Sequence, residues 1–173
     1  NNDGYKNLMK IVSRGFTEGF YYRPRVDKEV LREFHEGIIA LSACLAGEVP
    51  RFITKGFIEE ARKSVLEHLE IFGEGNYFLE LQNHGISEQE KVNMTLMQFS
   101  KEMGIPLVCT NDVHYTYADD VKPHDILLCI QTGKRLKDED RMRYEGGQYY
   151  LKSEEEMRAL FPYAPEALDH TYE

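Results

Sequence analysis

The chain has 173 residues, of which 42% are hydrophobic and 29% charged, as is typical of one compact domain or part of a larger protein. With 21 Lys and Arg against 30 Asp and Glu, its net charge is −9. That charge argues against a free-standing, nonspecific nucleic-acid-binding protein but not against an acidic module of a larger DNA-handling assembly. No membrane span or secretory signal is visible, and three cysteines without a disulfide framework indicate a reducing, cytoplasmic location.

The first half of the chain predicts three helices and two strands. Apolar residues recur at helical spacing in the opening segment and predict a helix with one buried face; they are Tyr5, Leu8, Met9, Val12 and Phe16. Asp27 is predicted to cap a helix through Phe34, and the apolar run at 38–41 follows as a short buried strand. A long helix at 58–72 and a strand at 77–81 complete this half.

The second half continues the alternation of helices and strands. Ser87 and Glu90 predict a capping box that opens a helix to about Met103, and a third buried strand follows at 107–110. The next predicted helix starts at Asp119 or Asp120, is interrupted near Pro123 and ends at Gly133. The remaining predictions are an exposed loop at 137–147, a strand at 148–151, a capped helix from Ser153 to Phe161 and a last helix from Pro165 to Glu173.

Strands separated by helices of this length favour parallel pairing with right-handed crossovers. The three strands contain almost no charged residue, as expected when helices cover both faces of the sheet. The sequence therefore predicts an α/β fold with parallel strands, and periodicity alone leaves an open sheet and a barrel as alternatives.

Chemically versatile side chains follow each of the three predicted strands. Cys44 follows the first, His84 the second, and Asp112 and His114 the third. Because ligands of parallel α/β folds bind beyond the carboxyl ends of the strands, these side chains are expected at one edge of the sheet. Thiols, imidazoles and carboxylates bind zinc and similar metals. In an extended segment, Asp112 and His114 point to the same side, about 6.6 Å apart.

Each candidate also has a structural interpretation. Cys44 can be a small buried hydrophobic residue, and Asp112 can cap the following helix. His114 can be a core or surface histidine, and His84 can belong to a simple turn. Cys109 and Cys129 lie in apolar runs that indicate core positions. The other histidines are interpreted as structural or solvent-facing; they are His35, His68, His124 and His170.

The segment from Tyr21 to Arg25 mixes aromatic and basic residues. Such a mixture contacts nucleic acid by base stacking and phosphate binding. The alternative is an amphipathic loop packed on a neighbouring segment, which the sequence alone favours. The acidic run Asp138–Asp140 indicates a solvated loop.

Seven consecutive segments together are similar to one protein family. They are Gly4–Leu8, Glu18–Arg25, Leu41–Glu48, Leu79–Gly85, Thr110–Tyr115, Leu127–Lys134 and Arg141–Ser153. In this order they resemble the PHP domain of the alpha subunit of bacterial DNA polymerase III, over nearly the whole chain. The resemblance implies a portion of a distorted (β/α)7 barrel. It assigns residues 1–135 to the C-terminal part of that domain and 136–173 to its end and the connection towards the polymerase palm.

The resemblance also implies a metal site and a role in DNA replication. Cys44, Asp112 and His114 match metal-binding positions of the family, which hold zinc or manganese and serve 3′–5′ exonuclease chemistry or a structural role. His84 is a possible phosphate contact. The implied activity of the intact parent is DNA-directed DNA synthesis with Mg²⁺ in the palm. DNA and other replisome subunits are its implied partners, and no membrane is involved.

Two features of the family are not found between Asn1 and Glu173. Its early metal motifs, which begin with a His-x-His pair, are expected before Asn1, and the palm carboxylates are expected after Glu173. We therefore expect this chain to be inactive by itself and to bind metal weakly or not at all. Open barrel edges are also expected to favour self-association. The alternatives are a standalone PHP metallophosphoesterase and a non-catalytic scaffold domain.

Overall fold

The computed structural model describes residues 1–172, and within them the chain forms eight α-helices and three β-strands. In chain order these are α1 (Asn2–Thr17), α2 (Lys28–Phe34), β1 (Ala40–Leu41), α3 (Glu48–Thr54), α4 (Ile58–Phe72), β2 (Tyr77–Leu81), α5 (Ser87–Met103), β3 (Leu107–Cys109), α6 (Val121–Thr132), α7 (Glu154–Leu160) and α8 (Pro165–Asp169). Short 3-10 turns occupy Ala118–Asp120 and Glu145–Gly147. Among these helices, none combines the length and apolar character needed to cross a membrane.

The three strands form one sheet in the order β1-β2-β3. β1 and β2 pair in parallel, with Ala40 opposite Tyr77. Hydrogen bonds join β2 to the segment of β3, among them those from Leu79 N to Pro106 O (3.0 Å) and from Thr110 N to Leu81 O (3.1 Å). Both partners advance in the same direction, as in a parallel pair. The predicted α/β class with parallel strands is therefore confirmed.

The described residues divide into two compact units. The first contains Asn1–Leu79 and Gln98–Pro106, and the second contains Glu80–Met97 and the residues from Leu107 onward. Core side chains of the first unit are fully buried on α3, α4 and β2; they include Ile53, Val65, Tyr77 and Leu79. The corresponding core of the second unit includes Leu81, Leu96, Phe161 and Ala167.

Helix α1 forms where predicted, but the expected buried face is wrong. Its apolar residues Tyr5, Leu8, Met9, Val12 and Phe16 are all exposed, and only Gly4, Ile11 and Gly15 are buried. A side chain on Gly4 would overlap the carbonyl oxygen of Gly37, so the backbones meet directly there. The small residue Gly4 makes the contact of α1 with the segment that follows α2, and the large apolar residues of α1 stay exposed.

Two further expectations about the first unit are wrong. The predicted strand at 38–41 has only two residues, and Ile39 and Leu41 are exposed. Its apolar side chains stay accessible because, within residues 1–172, β1 pairs only with β2. Helix α3 was not predicted, because seven residues that include Pro50 are too few to show a helical period. In contrast, α4 and β2 have the predicted bounds.

Most of the helices and strands predicted for the second unit are present, but several differ from the prediction in their bounds or in their hydrogen bonds. Helix α6 continues through Pro123, because proline in the first turn of a helix removes an N–H that has no helical partner. The predicted strand at 148–151 is wrong, since only a single bridge joins Tyr115 to Tyr150. Helix α5 begins at Ser87, whose hydroxyl donates to Glu88 (3.0 Å), and the capping box of Ser87 with Glu90 stays a prediction.

The last two predicted helices are present as α7 and α8. At the start of α7, Ser153 Oγ accepts from Glu156 N (3.2 Å) and Ser153 N donates to Glu156 Oε2 (2.8 Å), so this predicted capping box is confirmed. Helix α8 begins at Pro165 as predicted and ends at Asp169. The predicted continuation to Glu173 reaches one residue outside the described part of the chain.

Candidate functional site

The segment that follows β3 is held to residues 148–150 by hydrogen bonds. The Asn111 side-chain amide donates to Gln148 O (3.1 Å) and to Tyr150 O (2.7 Å). His114 N donates to Tyr149 O (2.8 Å). The backbone of Asp112 has a φ of 44°, a left-handed conformation that is unusual for a residue other than glycine. These bonds fix the directions of the side chains at the end of β3.

Asp112 and His114, both predicted site residues, lie beside each other at this strand end. His114 Nδ1 is 2.7 Å from the Asp112 carbonyl oxygen and 4.0 Å from its carboxylate oxygen Oδ1. Because a carbonyl oxygen only accepts, Nδ1 carries the proton, and in the neutral ring Nε2 is then the nitrogen with a lone pair. Both side chains are partly exposed. Such an oriented imidazole beside a carboxylate has the donor atoms of a metal ligand pair.

Aromatic rings surround His114 on several sides. The centroid of its ring is 4.3 Å from that of Tyr144, 5.6 Å from that of Tyr149 and 5.8 Å from that of His124. Sequence reasoning missed His124, Tyr144 and Tyr149 as neighbours of the candidate site. No spacing in the sequence indicates this arrangement, because α6 and residues 144–149 reach His114 only through the fold.

His84, the possible phosphate contact, is buried, with 4% of its surface exposed. Its Nε2 donates to Asn111 O (2.9 Å), and its Nδ1 accepts from the Gln89 side-chain amide (2.8 Å). The ring stacks on Tyr149, with centroids 4.1 Å apart. Burial lowers the pKa of His84, although the bond to Asn111 partly opposes that effect. Both ring nitrogens are therefore occupied by protein partners in this arrangement.

Cys44, the third predicted metal ligand, belongs to the first unit. It lies in the turn between β1 and α3 and is half-buried, and its carbonyl accepts from Gly47 N (2.8 Å). Cys109 and Cys129 are buried, as predicted, and burial raises the pKa of Cys109 to about 12. Within residues 1–172, no group of three or more His, Cys, Asp and Glu side chains is arranged to hold a metal ion. The shared site of Cys44, Asp112 and His114 stays a prediction.

A cavity of about 580 Å³ lies in the second unit beside α6. Its walls include His124, Asp125, Arg141, Arg143 and Tyr144. Arg141 forms a two-pronged ion pair with Asp125, in which Nη2 is 2.7 Å from Oδ2, and Arg143 donates to Asp138 O (3.0 Å). The hydrogen bond from Arg141 lowers the pKa of Asp125. Both guanidinium groups thus already have partners in this unit, although Arg141 Nε has none among the described residues.

Comparison with known proteins shows what the chain is similar to. Residues 1–84 match the PHP domain. The chain is 46% identical over 171 residues to the DNA polymerase III subunit alpha of Borreliella burgdorferi and 45% identical over 171 residues to that of Treponema pallidum. The subunit of Thermus aquaticus is 44% identical over 173 residues. These alignments cover 98% or 99% of this chain, which spans about 15% of the length of the curated relatives it matches.

These matches first identify the chain as containing PHP-domain sequence. More particularly, over nearly its whole length the chain is similar to one segment of the DNA polymerase III alpha subunits. The resemblance predicted from the seven sequence segments is therefore confirmed.

Proposed function

We propose that this chain is the PHP region of a subunit that carries out DNA-directed DNA synthesis. The single observation that carries the proposal is the identity of 46% over 171 residues to a DNA polymerase III subunit alpha. DNA and other replisome subunits are the proposed partners of the whole protein, and the cytoplasm is its proposed location. Residues 1–135 are proposed to belong to a (β/α)7 barrel, with 136–173 leading towards the polymerase palm.

The proposal includes a divalent metal site formed by Cys44, Asp112 and His114. The orientation of the His114 ring by the Asp112 carbonyl supports it, because that bond leaves Nε2 free to bind an ion. A bound zinc or manganese ion would supply the Lewis acidity needed to cleave a phosphodiester. His84 is left out of the proposed site, since both of its ring nitrogens have partners.

A segment exchange tests the proposed function. This chain would replace the matching segment of the Borreliella burgdorferi subunit, and primer extension would be measured. We expect the exchanged subunit to extend a primer at a rate within about tenfold of the parent, because the exchanged segments are homologous throughout. A control with Ile53→Asp, which places a charge in a fully buried position, should lose activity through misfolding. A soluble, folded exchange protein without primer extension would contradict the proposal.

The metal site is tested separately by calorimetric titration with zinc and manganese. We expect weak binding by this chain, as two or three donors hold an ion less firmly than a complete set. The double variant Asp112→Asn with His114→Ala should abolish this weak metal binding. The control variant Glu88→Gln should leave the metal binding unchanged. No change in the double variant would overturn the assignment of these ligands.

The alternatives predict different results in the same preparations. A standalone metallophosphoesterase would hydrolyse a simple phosphate ester with this chain alone and would lose that activity in the double variant. A scaffold domain would support primer extension in the exchanged subunit without binding any metal.

A further inference from the structure

A tight turn after α1 exposes a cluster of aromatic and basic side chains. The turn comprises Gly19–Arg25, and we call it the aromatic turn. Tyr21 is 65% exposed and Tyr22 is 82% exposed, and their rings meet edge to face with centroids 4.6 Å apart. Phe20 is also exposed, and its ring lies 6.3 Å from that of Phe16 on α1. Large rings in this number are seldom left on a protein surface without a partner.

The backbone of the aromatic turn is fixed in place. Tyr21 N donates to Arg23 O (3.1 Å), and Tyr22 between them has a left-handed φ of 58°. A side chain on Gly19 would overlap the Arg25 carbonyl oxygen, so the two ends of the turn meet backbone to backbone. Left-handed conformations of non-glycine residues are strained and concentrate at functional sites. The turn therefore presents its rings in a preorganised arrangement.

The charges of the aromatic turn favour an anionic partner. Neither Arg23 nor Arg25 forms an ion pair within residues 1–172, although the chain has more acidic than basic residues. The Arg25 guanidinium lies 5.6 Å from the centroid of the Tyr21 ring. Nearby carboxylates are engaged elsewhere, since Glu18 pairs with Arg14 (2.7 Å) and Asp27 accepts from Val30 N (3.0 Å). Two guanidinium groups thus remain available beside the exposed rings.

We propose that the aromatic turn binds single-stranded DNA, with Tyr21 and Tyr22 stacking on bases and Arg23 and Arg25 contacting phosphates. Exposed rings next to cations are the features by which proteins bind single strands without reading the sequence. A duplex does not fit, because its bases have no free faces to stack on a tyrosine ring. The choice of DNA as the polyanion rests on the proposed function, and the turn geometry supports the stacking independently.

Binding to a labelled oligothymidylate, followed by fluorescence anisotropy at low salt, tests the proposal. Tyr22→Ala should weaken binding about fivefold or more, because stacking contributes about 1–3 kcal/mol for each base. Tyr172→Ala, which removes a ring that is 97% exposed elsewhere, is the matched control and should have no effect. Arg23→Gln should weaken binding and reduce the slope of log K against log salt by about 0.7.

A tryptophan placed in the turn gives a second, direct measurement. The chain contains no tryptophan, so Tyr22→Trp introduces a single indole. Stacking of a base on this indole would quench its fluorescence. Oligothymidylate should quench this variant, and it should leave Tyr172→Trp unchanged. Because Tyr22→Trp keeps an aromatic ring in the turn, it remains informative if Tyr22→Ala fails to fold.

Several outcomes would overturn the proposal. They are absence of binding by the unmodified chain, equal affinity in Tyr22→Ala, and binding of a duplex as tight as that of the single strand. If Tyr22→Ala reduces only self-association in sedimentation, the turn is a protein interface instead. Primer extension by the exchanged subunit in any of these cases would leave the proposed polymerase function intact.

Discussion

At the scale of single residues, His84 shows how a buried polar side chain holds two strand ends together. Its imidazole joins the segment after β2 to the segment after β3 through Gln89 and Asn111. We expect His84→Ala to lower the free energy of unfolding by about 2–4 kcal/mol, because it leaves buried polar groups unpaired and creates a cavity. Urea unfolding measures this, with His35→Ala as a control at a partly exposed histidine.

Titration of His84 is expected to make the free energy of unfolding depend on pH. Because burial lowers the pKa of His84 below its ordinary value of 6.5, the unfolded chain binds the proton more readily than the folded chain. The stability that His84 contributes is present above about pH 6.5 and is lost as the pH falls through its folded pKa. Between pH 7.5 and pH 5, unfolding free energy should therefore fall further in the unmodified chain than in His84→Ala. Equal slopes would contradict this assignment.

Lys28 is the second residue with a measurable role, since its ammonium joins Glu48 (2.8 Å) and Glu67 (2.6 Å). Hydrogen bonds from Lys28 and Arg32 lower the pKa of Glu67. Burial raises the pKa of Glu48, but hydrogen bonds from Lys28 and Ser64 outweigh that effect and lower it overall.

We expect Lys28→Met to lower unfolding free energy by about 1 kcal/mol or less at pH 7, since these partly exposed charges are screened by water. The carboxylate pKa values are lowered in the folded state, so this contribution is present above about pH 4.5 and lost below it. The difference in unfolding free energy between Lys28→Met and the unmodified chain should therefore become smaller towards pH 3. Lys55→Met, at an exposed lysine, is the control for urea titrations at several pH values.

At the scale of elements, the position of α1 depends on Gly4. A Cβ atom at this position would overlap the carbonyl oxygen of Gly37, and neither backbone has room to move without separating α1 from its neighbour. We expect Gly4→Ala to lower unfolding free energy by about 1–3 kcal/mol, although alanine is the better helix former. Thermal unfolding measures this, and Ser13→Ala on the exposed side of α1 is the control. A stabilised Gly4→Ala variant would show that the close contact is absent in solution.

At the scale of the whole molecule, the exposed apolar side of α1 predicts self-association. Tyr5, Leu8, Val12 and Phe16 recur along this side, and an apolar surface of this kind is expected to be covered in solution. Sedimentation velocity should therefore show an average mass that rises with concentration. Leu8→Glu with Val12→Glu should reduce that rise, whereas Ile130→Glu, at an exposed position on α6, should not. A monomer at all concentrations would contradict this expectation.

The sequence by itself determined the kind and order of most elements. Helical spacing and capping residues predicted α1, α2, α4, α5 and α7, and apolar runs predicted β2 and β3. These signals are local, because each depends on residues within a few positions of one another. The same is true of the seven family segments, which needed no structure to be recognised. The placement of Asp112 and His114 after β3 followed from this local order.

Only the tertiary structure decided which surfaces are buried and which side chains meet. Periodicity gives α1 an apolar side but not its packing partner, and the small residues Gly4 and Gly15 made the contact instead. The neighbours of His114 arrive from residues far along the chain, and His84 has its hydrogen-bonding capacity filled by partners that no spacing reveals. Burial and satisfaction of polar groups are properties of the assembled chain, so they depend on contacts distant in sequence.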